Sequence, residues 1–110
     1  MKRADMVRTG AAQLMLAEEA LERALVETSS LGVLLGQLRL QSGISMVVGQ
    51  DAFDEIASTI TGLTAARRSM VRAHERLDQV KTQIGCRTVA GGALDKPPDA
   101  LAKLEVVNAA

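Results

Sequence analysis

The chain has 110 residues, of which 47% are hydrophobic and 24% are charged, and Phe53 is the one aromatic residue. This length allows one domain, and the composition is that of a folded globular protein. Thirteen basic and thirteen acidic residues cancel, so no overall field attracts nucleic acid or an anionic membrane. The lack of Trp and Tyr argues against sites for sugars, single-stranded nucleic acid or flat cofactors, which usually stack on aromatic rings.

The sequence carries no clear signal for export or for a membrane span. Residues 1–13 carry charges but lack the apolar core of a signal peptide. The most apolar run, 31–40, has about half the length that a transmembrane helix needs. The single Cys86 excludes an intramolecular disulfide, as is typical of a reducing compartment. We therefore expect a soluble, cytoplasmic protein without a membrane span, in which Cys86 packs near a helix end.

Residues 11–42 show the spacing of one long amphipathic helix. Apolar and small residues recur at alternating intervals of three and four, as one packed side of a helix requires. The residues of this series are Leu14, Ala17, Leu21, Ala24, Thr28, Leu31, Leu35 and Leu38. Gly43 follows the series and predicts the end of the helix, because glycine readily adopts the left-handed conformation found there.

Residues 51–85 carry a second series of the same kind. Its members are Phe53, Ile56, Ile60, Leu63, Met70, Leu77 and Ile84, widened toward the end by Ala66, Ala73 and Val80. Asp51 is predicted to cap the start, and Asp54 and Glu55 place negative charge near the unpaired N–H groups of the first turn. Gly85 predicts the end of this helix.

Two long helices joined by about eight residues should fold back on each other as an antiparallel pair. The predicted fold class is therefore all-α, with a long antiparallel helical hairpin over residues 1–88. Two adjacent glycines and two adjacent prolines within 89–110 predict a linker. The tail after it either stays flexible or docks on the hairpin as a short helix through Leu101, Leu104 and Val107, and we favour docking.

The charges of the two helices are complementary. If the turn is centred near residue 46 or 47, facing residues of an antiparallel pair have numbers that add up to about 93. This register predicts contacts of Glu18, Glu19, Glu22 and Glu27 with Arg76, Arg72, Arg68 and Arg67. The basic segment 67–76 is then explained as the complement of an acidic helix, which makes nucleic-acid binding the less favoured interpretation.

Three glycines lie inside the predicted helices, where each costs about 1 kcal/mol relative to alanine. They are Gly32, Gly36 and Gly62. Small residues on facing sides of two helices allow the backbones to approach closely. We therefore predict that these glycines mark close helix packing.

Residues 31–40 are apolar around nearly the whole circumference of a helix, so one neighbouring helix cannot cover them. A helix that is apolar on all sides is buried on all sides, and a two-helix hairpin has too little core to be stable alone. We therefore predict a homodimer that forms a four-helix bundle, although another protein is a possible partner. The predicted interface residues are Leu31, Leu34, Leu35, Leu38, Ile44, Met46, Val47 and Val48.

The sequence contains no pattern that predicts catalysis, a cofactor or a metal site. The segment 43–51, GISMVVGQD, has the wrong glycine spacing for a phosphate-binding loop and lacks its lysine. One histidine and one cysteine do not form a metal-ligand cluster. We therefore predict a non-catalytic protein–protein interaction or assembly module.

Two alternative functions remain open. His74 lies in a helix, as does the phosphate-carrying histidine of helical-bundle phosphotransfer domains, although the lysine and small residue that follow that histidine are missing here. The second alternative is a regulator that binds nucleic acid through the arginines of segment 67–76, which are Arg67, Arg68, Arg72 and Arg76.

Overall fold

A computed structural model of the chain describes residues 1–89. It contains two helices, α1 (Arg3–Ser42) and α2 (Gln50–Gln83), joined by one turn, and no strand occurs in this part of the chain. The predicted all-α class is therefore confirmed. The predicted linker and tail, apart from Val89, lie outside the described residues.

Helix α1 begins at Arg3, two turns before the predicted start near residue 11. The reason is that Val7, Ala11 and Leu14 are all buried, so the packed side of the helix extends toward its N-terminus. The helix ends as predicted. Gly43 has a φ of 68°, and its N–H donates to the carbonyl of Arg39 at 3.0 Å.

Glycines also mark both ends of helix α2. Gly49, with a φ of 84°, precedes Gln50, so Asp51 lies within the first turn and does not cap the helix as predicted. At the other end Gly85 has a φ of 79°. Its N–H donates to the Thr82 carbonyl at 3.0 Å, and the next N–H donates to the Lys81 carbonyl at 2.9 Å. This pair of bonds is the Schellman motif, which satisfies the last carbonyls of a helix.

The described chain divides into two compact units, and each combines a segment of α1 with a segment of α2. The first unit contains Met1–Ala17 together with the described residues from 73 onward, and the second unit is Glu18–Arg72. In the first unit the Arg3 guanidinium donates to the carbonyl of Ile84 at 3.3 Å. The helices of the second unit run antiparallel and are joined by residues 43–49.

The register of the second unit differs from the predicted one by about one helical turn. Glu22 forms an ion pair with Arg67 and not with Arg68, and Gly32 lies against Ile56. The cause is that the chain reverses earlier than the predicted centre near residue 46 or 47. The reversal directly follows Gly43, and residues 46–49 already form a turn in which the Val48 N–H donates to the Ser45 carbonyl at 3.1 Å.

The packed side of α1 in the second unit also differs from the predicted series. Leu31 and Leu38 are 47% and 48% exposed, whereas Gly32 and Arg39 are half-buried. A repeat of seven residues drifts by about 20° per repeat on a helix with 3.6 residues per turn. Ala24, Leu31 and Leu38 follow one another at intervals of seven residues. The side chains of Leu31 and Leu38 therefore point progressively further from α2 than that of Ala24.

The packed side of α2 follows most of the prediction in the second unit, where Phe53, Ile56, Ile60, Leu63 and Met70 are half-buried. Ala66, which was also predicted on this side, is exposed. In the first unit Leu77 and Val80 are exposed, whereas Lys81 is only 3% exposed. The sequence did not predict this burial. The long aliphatic stem of lysine can pack as an apolar side chain does, so a core position does not exclude it.

Candidate interaction surface

The second unit has no buried core of its own. Every buried residue of the described chain belongs to the first unit, and none lies in residues 18–72. Most of the predicted interface residues are exposed, with Val47 the most exposed of them at 82%. The exposed members are Leu31, Leu34, Leu38, Ile44, Met46, Val47 and Val48, and Leu35 is half-buried.

An apolar groove of about 200 Å³ lies at the turn end of the second unit, and we call it the turn groove. It is formed by the end of α1, the connection and the start of α2. Its lining residues are Leu35, Leu38, Arg39, Ser42, Ile44, Val48, Gly49, Ala52 and Phe53. Four of the predicted interface residues, Leu35, Leu38, Ile44 and Val48, therefore share one concave surface with Phe53.

The connection at this end is held by hydrogen bonds to its backbone. The Arg39 guanidinium donates to the Ile44 carbonyl at 3.3 Å, and the Val47 N–H donates to the Ser45 hydroxyl at 3.3 Å. These bonds leave Val47 among the most exposed apolar residues of the chain. The apolar turn is thus a preformed surface, which lowers the entropy that a partner must overcome.

Helix α1 presents a second apolar stripe on a different face. Val26, Val33 and Leu40 are all exposed and follow one another at intervals of seven residues. Residues seven apart lie on nearly the same side of a helix. Segment 31–40 therefore exposes apolar side chains on two faces besides the side that contacts α2.

The three glycines that were predicted to mark close packing have different surroundings. A Cβ built on Gly32 would lie 3.7 Å from Ile56 Cγ2, which is ordinary van der Waals contact across the helix pair. A Cβ on Gly36 or Gly62 would meet no atom within 4 Å. Among the three, and within residues 1–89, Gly32 alone has a neighbour on the opposite helix at this distance. Close helix packing at Gly36 and Gly62 stays a prediction.

The groups that carry the alternative functions are engaged within the chain. Arg67 pairs with Glu22, Arg72 donates to the Ser69 hydroxyl at 3.0 Å, and Arg76 donates to the Gln79 side-chain carbonyl at 3.4 Å. His74 is half-buried. The arginines are exposed and keep further donors, so these contacts leave the nucleic-acid alternative open to experiment.

Within residues 1–89, no three His, Cys, Asp or Glu side chains come together in a way that could hold a metal ion. Neither helix of this region combines the length and apolar character needed to cross a membrane. Comparison of the chain with protein-family models, with curated proteins and with solved structures finds no match in any of the three.

Proposed function

We propose that the protein is a non-catalytic interaction or assembly module that forms a homodimer through its second unit. One observation carries this proposal: two long helical segments pack there without burying a single residue, while the apolar residues of segment 31–48 stay exposed. We define the dimer surface as Leu31, Leu34, Leu35, Leu38, Ile44, Met46, Val47 and Val48.

The energy available from covering this surface is large. Soluble monomers seldom expose a contiguous apolar patch of more than a few hundred square ångströms without a use for it. Burial contributes roughly 25 cal/mol per Å², so about 200 Å² of cover stabilises an assembly by about 5 kcal/mol before the entropic losses of association. Cover of this size offsets only part of the cost of association, so a stable dimer must bury more of the exposed apolar surface than this.

A second copy of the chain suits this surface better than a charged partner does. The net charge is zero, so two copies do not repel each other, and the dimer surface itself is apolar. A twofold axis would bring two further helical segments against each hairpin and form a four-helix bundle. Such a bundle offers neighbours on more than one side of α1, as the exposed stripe at Val26, Val33 and Leu40 requires.

The proposed module has no catalytic role and works in the cytoplasm. The compartment is supported by the single Cys86, which cannot form an intramolecular disulfide. The absence of a catalytic role is supported by the apolar character of the turn groove, which offers one charged side chain, Arg39. That guanidinium is held by the Ile44 carbonyl.

The proposal is tested by a double change of Val47 and Val48 to Ser, with sedimentation velocity as the measurement. Losing two valines that the proposed dimer would cover should raise the dimer dissociation constant by about tenfold or more, since 1.4 kcal/mol corresponds to tenfold. The matched control is Val71→Ser, because Val71 is 52% exposed and lies on α2 outside the dimer surface.

The control should associate as the parent does. Leu34→Ser with Leu38→Ser provides a second, independent disruption on α1. Unchanged association of both double variants would show that the dimer surface is wrongly assigned. A monomeric parent that captures a different protein through Val47 and Val48 would replace the homodimer with a heteromeric module.

A further inference from the structure

In the second unit, helix α2 carries a row of six exposed residues on the side that faces away from α1, and we call this row the outer seam. It consists of Glu55, Ser58, Gly62, Ala65, Ser69 and Arg72. These residues follow one another at intervals of three and four, so they lie on one side of the helix. Ile56, which packs against Gly32 of α1, lies on the opposite side together with Ile60 and Leu63. The two helices of the unit therefore leave the outer seam uncovered.

The middle of the outer seam has space for a second helix. Gly62 is exposed, and a Cβ built on it would meet no atom within 4 Å. Glycine is less favourable than alanine inside a helix, and the surroundings of Gly62 within residues 1–89 do not require it. Small side chains allow a second helix to approach closely, but they do not identify that helix. The charges at the two ends of the outer seam do.

The outer seam is complementary to itself when a second copy lies against it in the opposite direction. Glu55 stands at one end and Arg72 at the other, with small residues between them. When two identical helices pair in antiparallel orientation about a twofold axis, the numbers of facing residues add up to one constant. A constant of 127 pairs Glu55 with Arg72, Ser58 with Ser69 and Gly62 with Ala65. Each end of the contact then carries an ion pair, and the smallest residues lie at the axis.

These ion pairs can form only between two chains. Glu55 and Arg72 are 17 residues apart, so about 25 Å separates them along α2. The acid lies near the start of α2, where the helix dipole favours it. Arg72 lies about three turns before the helix end at Gln83, beyond the reach of the dipole. Its guanidinium donates to the Ser69 hydroxyl at 3.0 Å, which holds it along the outer seam.

We propose that the outer seam binds the outer seam of a second copy, with the two α2 helices antiparallel and the twofold axis between Gly62 and Ala65. This surface is separate from the dimer surface, so the two contacts stand or fail independently. Used together, they join two dimers into an assembly of four chains. Small side chains bury little apolar area, and exposed ion pairs contribute little. The outer seam is therefore the weaker contact and forms at millimolar concentration, above the range in which the dimer surface acts.

The test exchanges the charges at the ends of the outer seam in the full chain, with sedimentation equilibrium up to millimolar concentration as the measurement. Glu55→Arg and Arg72→Glu each place like charges opposite each other, so each variant should lose the millimolar association step. An equal mixture of the two variants places opposite charges at both ends and should restore the step. The chain that carries both changes should restore it as well, and its net charge equals that of the parent.

The matched control is Asp78→Arg, which makes the same charge change as Glu55→Arg at an exposed position of α2 outside the outer seam. This variant should associate as the parent does. The proposal is overturned if the parent shows no millimolar step, if the single variants keep it, or if neither the mixture nor the double variant restores it. Val47→Ser with Val48→Ser should abolish the micromolar step alone, so failure of the dimer surface and failure of the outer seam are distinguishable.

A substitution at the centre of the contact provides a second test that does not depend on charge. Gly62→Leu should raise the dissociation constant of the millimolar step at least tenfold, because the longer side chain keeps the two α2 helices apart. Leucine has the better helix propensity, so urea denaturation should show no loss of stability in the variant. Thr64→Leu introduces the same side chain at an exposed position outside the outer seam and should leave the step unchanged. Equal association of the Gly62→Leu and Thr64→Leu variants would overturn the proposal.

Discussion

Gly32 of α1 packs directly against Ile56 of α2, so that a Cβ added to the glycine would lie 3.7 Å from Ile56 Cγ2. This distance is an ordinary van der Waals contact, so a methyl group fits at this position. A longer side chain directed at Ile56 would collide with it at the present helix separation. The contact therefore does not offset the cost of glycine in helix propensity, which is about 1 kcal/mol.

The first prediction is a series at Gly32. Gly32→Ala should raise the free energy of unfolding by up to about 1 kcal/mol through helix propensity. Gly32→Leu should lower it by about 1–3 kcal/mol, because the longer side chain collides with Ile56. Urea denaturation provides the measurement, and Gly10→Leu, at an exposed position where space is open, is the control that should not lose stability. A Gly32→Leu variant as stable as the parent would show that the helices separate freely at this point.

The second prediction concerns the ion pair of Glu22 and Arg67. Both side chains are 56% exposed, so a double-mutant cycle with alanine should give a coupling energy of about 0.2–1 kcal/mol. Raising the ionic strength to 1 M should reduce this coupling, since salt screens exposed charges. The cycle of Glu22 with Arg68 should give none. A larger coupling in that second cycle would show that the register in solution is the one predicted from the sequence.

The third prediction distinguishes the proposed module from a nucleic-acid-binding regulator. The chain should elute from a heparin column at low salt, and changing Arg68 and Arg72 together to Gln should alter that elution little. A regulator that contacts phosphates through segment 67–76 would show steep salt dependence, lost in the double variant. Retention of the parent well above 0.3 M salt, abolished by the change, would favour the regulator.

The fourth prediction addresses His74. Incubation of the full chain with a small-molecule phosphodonor such as acetyl phosphate should leave no acid-labile phosphate on His74, as measured by intact-protein mass spectrometry. The physical reason is that the imidazole is half-buried, and a carrier histidine must present a nitrogen to an incoming phosphoryl group. A stoichiometric, acid-labile mass gain that His74→Gln abolishes would establish the phosphotransfer alternative.

The sequence predicts the two helices well because no proline interrupts their apolar spacing. In addition, a glycine follows the apolar series of each helix. Gly43 and Gly85 end the helices as predicted, since glycine tolerates their positive φ angles. The sequence does not indicate the start of α1, because Met6 and Val7 alone do not extend the apolar series of residues 11–42. In the structure, Val7 is buried together with Ala11 and Leu14, so the packed side of α1 continues toward its N-terminus.

The register and the exposed surface were harder to predict, for different reasons. The pairing of Glu22 with Arg67 depends on where the chain reverses, and the composition of segment 43–49 does not reveal that residues 46–49 already form a turn. The burial of Lys81 depends on tertiary cover that no local pattern contains. The apolar character of segment 31–40, in contrast, indicates directly that one neighbouring helix cannot cover it, and Leu31, Leu34 and Leu38 are exposed in the single chain. That a second chain covers them stays a prediction.

Sedimentation equilibrium of the unmodified chain tests the central claim most directly. One chain has a mass of 11.6 kDa, and homodimerisation through the second unit predicts twice that mass at micromolar concentration, falling toward the monomer on dilution. A single species of 11.6 kDa throughout the micromolar range would contradict the homodimer and leave the apolar surface from Leu31 to Val48 without the partner proposed for it.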